Sequence, residues 1–443
     1  MSSSRLFSYT YRFLTGEEDE ARACLDIPEE ACREAPRSFV LNVLNGACTK
    51  LAEQLASPGL VLPWLFGTLG ASAALTGWLV PVKQVGSLLP QLFVAGYLRA
   101  FARRKWFWFA AGTTQAMTLM LMFMVAVSLP ASIACVLMVF LLLLFSIASG
   151  VGSVAFSDVV GKTVPKGRRG RMLASRATVG GALALGAGLL MRDYLGDADS
   201  ITPYLMLLMI AAALWLVGAV LFACIPEVSG ATQGGRNGIA SVLSGFSILR
   251  DDGAFRTFVI ARCFLLGVEL VMPFLVLHTR GLENVDGTDL GIFVIAVSLS
   301  SLISAPVWGA FADLAAQRVL AMAGALGALA IGGALLIGTA PSAWQNPYAY
   351  GAVFVILGIA EGGARLGRKT YQVDIAPPGE KGTYKAVSNT VAGVAALAAG
   401  GLGFIASATG GVTLLVALAT STFVGAAVAW VLPSADRVDV EEE

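Results

Sequence analysis

The sequence predicts an all-α membrane protein whose twelve transmembrane helices form two six-helix bundles. Three observations lead to this fold class. Hydrophobic residues make up 56% of the 443 residues and charged residues only 13%, and the mean hydropathy is +0.75. Soluble domains usually carry about twice that charged fraction. The apolar residues fall into long runs, and a basic, glycine-containing stretch that follows the fourth run recurs after the tenth.

Two stretches of similar sequence indicate that the chain contains an internal duplication. Residues 161–172 and 373–384 match at a proline, two glycines and a cation, and each matched pair is 212 positions apart. A repeat of this length in an apolar chain indicates two related bundles of membrane helices. The matched pairs are Pro165 with Pro377, Gly167 with Gly379, Arg169 with Lys381, and Gly170 with Gly382.

Twelve apolar runs are long enough to cross the hydrocarbon core of a membrane, which takes about 20 helical residues. We call them spans 1 to 12, and they cover residues 38–65, 72–95, 106–128, 131–157, 172–192, 203–225, 256–279, 289–311, 318–339, 348–370, 384–408 and 411–432. A polar, glycine-rich linker divides them six and six. The predicted regions are an N-terminal tail, an N-terminal bundle, the linker, a C-terminal bundle and a C-terminal tail, at residues 1–37, 38–225, 226–255, 256–432 and 433–443.

The charges of the connecting segments predict which side of the membrane each one faces, because Lys and Arg concentrate on the cytoplasmic side. The connections after spans 2 and 4 are rich in these cations, whereas those after spans 5 and 7 are mainly acidic. We therefore expect both tails and the linker in the cytoplasm. The polar start of the chain does not resemble a signal peptide, so we expect a multi-pass protein of the cytoplasmic (inner) membrane.

Two short segments carry a family resemblance. Residues 96–105, after span 2, read GYLRAFARRK, and residues 309–318, after span 8, read GAFADLAAQR. Both resemble the signature loop of the major facilitator superfamily, G-x-L-a-D-r-x-G-r-R/K. Together with the six-plus-six repeat, the resemblance covers nearly the whole chain outside the N-terminal tail. It implies a transporter of this fold, and no subfamily can be assigned.

The resemblance also implies residues that act as gates on the cytoplasmic side. The first loop has Ala100 where the family has an aspartate, whereas the second keeps the aspartate. Asp158, at the end of span 4, lies beside the basic segment and fits a gate contact. The predicted gate residues are Gly96, Arg104, Asp158, Arg168, Gly309, Asp313 and Arg318.

Charged residues deep within spans 1 and 2 are candidates for solute binding and ion coupling, because a charge in hydrocarbon costs several kcal/mol unless it is paired or hydrated. Lys50 and Glu53 lie about 18 and 22 Å along span 1, near the middle of a core about 30 Å thick. Gln54 lies one turn from Lys50, and Lys83 has a similar depth in span 2. Lys83 has no acidic residue one turn away, so we expect it to meet Glu53, a substrate group or water.

Spans 7 and 10 supply two further charged pairs. Arg262 and Glu269 are seven residues apart in span 7, and Glu361 and Arg365 are four apart in span 10. Each spacing places both members on one helix face. By resemblance to major facilitator folds, whose first, second, fourth and fifth helices of each half line a central cavity, all these residues face one water-filled space with the charges of spans 1 and 2.

The same residues also allow a structural interpretation. The charged pairs within spans 1 and 10 lie one turn apart, so their members can neutralise each other as ion pairs. Arg368 and Lys369, at the cytoplasmic end of span 10, fit anchors that hold that end in the cytoplasm.

The sequence contains no pattern typical of an enzyme, a metal site or a bound cofactor. Its one histidine, His278, cannot form a histidine pair, and neither a phosphate-binding GxxxxGK[ST] motif nor a GxSxG motif is present. The six cysteines form no CxxC motif and most lie in apolar runs, so we expect reduced thiols. The net charge of +1 gives no reason to expect a nucleic-acid partner.

The sequence thus predicts a secondary active transporter that moves a small solute by alternating access and has no enzymatic activity. Glu53, Glu269 and Glu361 can change protonation when buried, which indicates protons as the coupling ion. Four intramembrane cations against three anions favour an anionic or zwitterionic solute. The expected partners are this solute, protons and the lipid bilayer. The alternative is a non-transporting membrane receptor or assembly factor that reuses the fold, with the aromatic N-terminal tail as docking element.

Overall fold

The fold is a bundle of membrane helices. The structure, a computed structural model, describes residues 10–11, 28–98, 100–194, 200–230, 245–282, 285, 289–377 and 380–434. All regular elements within these residues are helices. Ten of the described helices, which correspond to spans 3 to 12, are long and apolar enough to cross a membrane. The chain is therefore a multi-pass membrane protein, and the crossing by spans 1 and 2 stays a prediction.

The helices of the N-terminal half follow the predicted spans closely. A short helix, Glu29–Arg33, precedes them. The helices of spans 1 to 6 are Ala35–Leu55 with Val61–Thr68, Ala73–Thr76 with Leu79–Leu98, Lys105–Ser128, Ala131–Thr163, Lys166–Tyr194 and Thr202–Ala223.

The C-terminal half repeats the arrangement after a short helix, Ile248–Asp251. Spans 8 and 9 are two helices that meet at a kink at Ala315, and a 3-10 turn at Ser342–Trp344 precedes span 10. The helices of spans 7 to 12 are Gly253–Leu265 with Gly267–Arg280, Asp289–Thr339, Pro347–Asp374, Lys381–Gly400 with Leu402–Thr409, and Gly411–Trp430.

Spans 1 and 7 are each interrupted, although the sequence predicts continuous helices. The break in span 1 includes Pro58, which has no backbone N–H to donate to a helix. The break in span 7 falls at Leu266. As a result, Glu53 lies in the last turn of one helix and Glu269 in the first turn of another. Helix ends inside a membrane bundle are typical positions of binding sites in transporters.

The two loops predicted at residues 161–171 and 309–318 are mostly helical. Span 4 extends to Thr163 and span 5 begins at Lys166, so a two-residue link joins them. Between spans 8 and 9, Ala315 alone is recorded outside the helical conformation, with φ −162° and ψ 79°. Glycine costs only about 1 kcal/mol inside a helix, so the glycines of these segments do not by themselves end one. The predicted loop after span 4 is therefore mostly helix, and spans 8 and 9 meet at a kink.

The two halves approach each other closely at the ends of the spans predicted to lie outside. A Cβ atom on Gly403, near the outer end of span 11, would lie only 2.7 Å from the carbonyl oxygens of Ala73 and Ala74 in span 2. Arg280, at the outer end of span 7, donates a hydrogen bond of 3.1 Å to the carbonyl oxygen of Trp64 in span 1. The bundle is therefore tightly packed at this end.

The expectation of reduced thiols is wrong for Cys32, which is disulfide-bonded. The expectation depended on cysteines in apolar spans, and Cys32 lies in the short helix Glu29–Arg33 before the first span. The free cysteines in the described residues are Cys48, Cys135, Cys224 and Cys263.

Candidate functional site

Lys50 and Glu53 form an ion pair in span 1. Nζ of Lys50 lies 2.8 Å from Oε2 of Glu53, and their side chains are 48% and 34% exposed. Both residues lie near the predicted mid-membrane depth, where exposed charges indicate a water-accessible space. Glu53 also lies within electrostatic reach of Lys83 in span 2 and Arg365 in span 10. Charges from three spans therefore converge on this space, which we call the central cavity.

Another part of span 1 is polar but packs inside the N-terminal half. Asn45 is buried and donates a hydrogen bond of 2.9 Å to the carbonyl oxygen of Gly218 in span 6. Arg176 of span 5 donates to the carbonyl oxygen of Asn42 and to Oδ1 of Asn45, both at 3.0 Å, and lies within electrostatic reach of Glu53. The search for charged pairs one helical turn apart does not find Arg176, because no charged residue lies one turn from it. The sequence signal that could have identified Arg176 is a single arginine within an apolar run.

Glu269 contacts residues of both halves. Nε2 of Gln84, in span 2, donates a hydrogen bond to Oε2 of Glu269, in span 7. The other carboxylate oxygen, Oε1, lies 3.7 Å from Nη1 of Arg368 in span 10. Arg368 therefore contacts span 7, and its interpretation as a cytoplasmic anchor stays a prediction. The helix of span 10 continues beyond it to Asp374.

Lys83 is half-buried and has no hydrogen-bond or ion-pair partner among the described residues. Its expected pairing with Glu53 is electrostatic, without a direct contact. Gln54 is likewise half-buried, and its Nε2 has no hydrogen-bond partner in the described part of the chain. Lys83 therefore has an ammonium group that a solute or water can satisfy, whereas Nε2 of Gln54 is buried.

Glu361 and Arg365 form the expected pair in span 10. Nη2 of Arg365 lies 2.8 Å from Oε1 of Glu361, and both side chains are partly exposed. Lys369 follows Arg365 by one turn and is exposed. Residues at these spacings share one face of a helix. Span 10 therefore presents a carboxylate and several cations along one face.

Arg262 is buried, in contrast to the prediction that it faces the water-filled space. Its side chain is enclosed at 4% residue exposure and donates hydrogen bonds to Oγ of Ser388 and Oδ1 of Asn389, both in span 11. The break in span 7 places Arg262 and Glu269 on separate helices, so their spacing no longer gives a common face. Arg262 joins spans 7 and 11.

A second cluster of charges lies at the end of the N-terminal half that the loop charges predict to face the cytoplasm. Nη1 of Arg104 lies 2.9 Å from Oδ2 of Asp158. The carboxylate of Glu227, fully buried at 0% exposure, lies 2.8 Å from Nζ of Lys162. Glu227 also accepts hydrogen bonds from the backbone N–H groups of Arg104 and Lys105, at 2.9 and 2.8 Å. The charges of the connecting segments do not predict the contacts of Glu227, because Glu227 follows span 6 and lies far along the chain from its partners.

The remaining predicted gate residues are dispersed. Arg168 is buried, and its guanidinium lies 4.8 Å from the ring centre of Tyr11 in the N-terminal tail. Gly309 and Arg318 lie in the helical stretch of spans 8 and 9, where Arg318 is exposed. The side-chain surroundings of two predicted gate residues lie outside the described part of the structure: Gly96 and Asp313.

Two halves of membrane helices with charged residues deep within their spans are typical of membrane transport proteins. The family model of the Major Facilitator Superfamily matches residues 43–401. The chain belongs to this superfamily. An uncharacterised protein of Mycobacterium tuberculosis is 26% identical over 374 residues, which cover 83% of this chain and 71% of the relative.

Solved transporter structures share the fold at low sequence identity. A POT family transporter in complex with 5-aminolevulinic acid is 13% identical, with 91% of this chain and 96% of that chain covered and a TM-score of 0.68. A D-xylose-proton symporter is 15% identical, with 90% and 98% covered and a TM-score of 0.65. The inward-open xylose transporter XylE from E. coli is 12% identical, with 91% and 98% covered and a TM-score of 0.65. These similarities show the fold.

Proposed function

We propose that the protein is a secondary active transporter of the cytoplasmic membrane, which moves a small anionic or zwitterionic solute and is driven by protons. Its family and fold support transport. The surplus of cations over glutamates around the central cavity supports the solute class. The cations are Lys50, Lys83, Arg365, Arg368 and Lys369, and the glutamates are Glu53, Glu269 and Glu361.

The contact between Gln84 and Glu269 is the observation that carries the coupling proposal, because it links a protonatable group to both halves. An ionised Glu269 accepts the hydrogen bond from Gln84 and attracts Arg368 in span 10. Protonation removes the charge, which weakens the attraction and leaves Arg368 free for an anionic solute. Binding of the solute and binding of a proton would then favour the same rearrangement of the two halves.

The similarity to a D-xylose-proton symporter supports protons as the coupling ion, because that protein is named for the same ion and shares the fold. The tight packing at the predicted outer end supports alternating access, because a transporter keeps one end of its cavity closed at a time.

Glu269→Gln is expected to abolish gradient-driven accumulation of solute while binding and exchange persist. The amide keeps the size of the side chain and can still accept a hydrogen bond, but it cannot take up and release a proton. The measurement is uptake into proteoliposomes with and without a proton gradient, together with exchange at equal pH. Glu29→Gln, on an exposed helix before span 1, is the matched control and should transport normally.

Glu53→Gln belongs in the same assay, because Glu53 is a second protonatable group at the cavity. If both Glu53→Gln and Glu269→Gln accumulate solute against its gradient as well as the unmodified protein, neither carboxylate couples transport to protons. Accumulation lost in Glu53→Gln alone would assign the coupling to span 1 and remove Glu269 from it.

A further inference from the structure

Arg176, in span 5, is held in position by contacts with spans 1 and 4. Its Nη1 donates hydrogen bonds of 3.0 Å to the carbonyl oxygen of Asn42 and to Oδ1 of Asn45, both in span 1. Its guanidinium lies over the ring of Phe156 in span 4, with Cζ 4.4 Å from the ring centre. Its aliphatic stem packs on Gly46, where an added Cβ would lie 2.5 Å from Cγ. These contacts fix the guanidinium before any solute binds.

The hydrogen bonds of Arg176 use only one of its three guanidinium nitrogens. Nε and Nη2 donate to no residue that the structure describes, and neither nitrogen is sealed from solvent. These two nitrogens form one edge of the group, whose N–H bonds match the two oxygens of a carboxylate or phosphate. We call it the open edge. A bare guanidinium edge against hydrocarbon would cost several kcal/mol, so the open edge faces water or solute.

Direct contacts place Arg176 beside the ion pair of span 1. Gly46 of span 1 faces Arg176, and one turn further along both helices Gly180 of span 5 faces Lys50. An added Cβ at Gly180 would lie 2.6 Å from Cβ of Lys50. Arg176 is therefore about 6 Å from Lys50 along the two helices. Lys50 in turn lies 2.8 Å from Glu53, and both of these side chains are partly exposed.

The C-terminal half has an arginine in the equivalent pair of helices, but that arginine has no open edge. Ser388, which accepts a hydrogen bond from Arg262, lies 212 positions after Arg176 (388 − 176), the offset of the internal repeat. Arg262 is 4% exposed and its Nε is buried. Arg176, by contrast, is only half-buried. Joining two helices therefore does not require an arginine to leave an edge open, and Arg176 has a feature that this structural role does not explain.

We propose that the open edge of Arg176 binds an oxyanion group of the solute, a carboxylate or a phosphate, through two parallel hydrogen bonds. This inference rests on the proposed transport of an anionic or zwitterionic solute and assigns a residue that recognises its negative group. Because span 1 and Phe156 already hold the guanidinium, little side-chain freedom is lost on binding. A lysine at this position keeps the charge but lacks the edge, so charge and geometry can be tested separately.

Arg176→Lys tests the proposal on the purified full-length protein, with melting temperature as a function of ligand concentration as the readout. The acids are glutarate and 3-phosphoglycerate, and the controls are glutaramide, which has no carboxylate, and glycerate, which has no phosphate. We expect at least one acid to bind the unmodified protein and to bind Arg176→Lys at least about tenfold more weakly, because paired charge-assisted hydrogen bonds are lost. Binding of glutarate without glutaramide indicates a carboxylate, and binding of 3-phosphoglycerate without glycerate or glutarate indicates a phosphate.

Two further variants separate recognition from folding. Arg192→Lys, in the same span, changes an exposed arginine that bonds to the hydroxyl of Tyr348 at 3.1 Å, and it should bind the acids normally. Phe156→Leu keeps the charge and hydrogen bonds of Arg176 but removes the ring beneath it, and should weaken acid binding about threefold. If Arg176 served folding alone, Arg176→Lys would lower the melting temperature without ligand and leave the acid affinity unchanged.

Equal acid affinities in Arg176→Lys and the unmodified protein would overturn the inference, and so would failure of both acids to bind the unmodified protein. If Arg176→Lys does not fold, Phe156→Leu decides, and an unchanged affinity in that variant would overturn it. Failure of the proposed function gives a different result: a neutral sugar or a cation would be bound and transported, while no acid would be. Acid transport that persists with full affinity in Arg176→Lys would leave the proposed function intact and remove only the role of Arg176.

Discussion

Glu227→Ala is expected to lower the free energy of unfolding by about 3–5 kcal/mol, the usual cost of removing one partner from a buried ion pair. The Glu227 carboxylate is fully buried and pairs with Lys162 at 2.8 Å. It also accepts hydrogen bonds from the backbone N–H groups of Arg104 and Lys105. The alanine variant leaves the largely buried ammonium of Lys162 without its counter-ion, although the carbonyl oxygen of Ala102 still accepts from it, and leaves two N–H groups without their acceptor. Unfolding of the purified protein in mixed detergent micelles, with increasing denaturing detergent, measures the change.

Two controls separate this effect from a general effect of losing a glutamate. Glu29→Ala breaks an ion pair with Arg33 whose side chains are 80% and 78% exposed, and exposed pairs contribute little to stability. It should unfold like the unmodified protein. Glu227→Gln keeps one acceptor oxygen and should lose less stability than Glu227→Ala. If Glu227→Ala were as stable as Glu29→Ala, Glu227 would not anchor its end of the N-terminal half.

Gly403→Val is expected to reduce transport by at least about tenfold, because it prevents the outer end of the cavity from closing. A Cβ at position 403 would lie 2.7 Å from the carbonyl oxygens of Ala73 and Ala74, and backbone atoms cannot rotate away as a side chain can. A penalty of about 1.4 kcal/mol on the closed arrangement changes its population tenfold. Solute uptake into proteoliposomes measures the loss.

Gly332→Val is the matched control, since it adds the same side chain to a helical glycine with no described atom within 4 Å of the new Cβ. This variant should transport normally. A thiol-specific label added from the outer side gives a second measurement. A cysteine placed near the outer end of span 2 should react faster in the Gly403→Val background than in the Gly332→Val background. Equal transport by both variants would contradict closure at this contact.

Hydropathy and charge predict most of the fold, because a membrane forces long apolar helices and places cations on one side. The structure confirms the helical membrane fold. The predicted loop after span 4 is mostly helix for a physical reason: a charged or glycine-rich segment can continue a helix beyond the hydrocarbon, as span 4 does to Thr163. The breaks in spans 1 and 7 depend on tertiary packing as well as local sequence, so hydropathy alone does not place them.

The candidate site was predictable where partners lie one turn apart in the same helix. Lys50 with Glu53 and Glu361 with Arg365 form the contacts that their spacing predicts. Contacts between spans are harder to foresee. Nothing in the spacing of Gln84 indicates its hydrogen bond to Glu269, 185 residues further along the chain. Depth estimates do not identify partners either, because many side chains share one depth.

Uptake of acidic solutes into proteoliposomes tests most directly the claim that this chain transports a solute through its central cavity. The measurement follows radiolabelled glutarate and 3-phosphoglycerate, with radiolabelled xylose as the neutral comparison, across an imposed proton gradient. We predict accumulation of an acid above its external concentration and loss of that accumulation when a protonophore dissipates the gradient. Uptake no greater than in protein-free liposomes, from protein that is folded and binds the same acid, would contradict transport and support a receptor that reuses the fold.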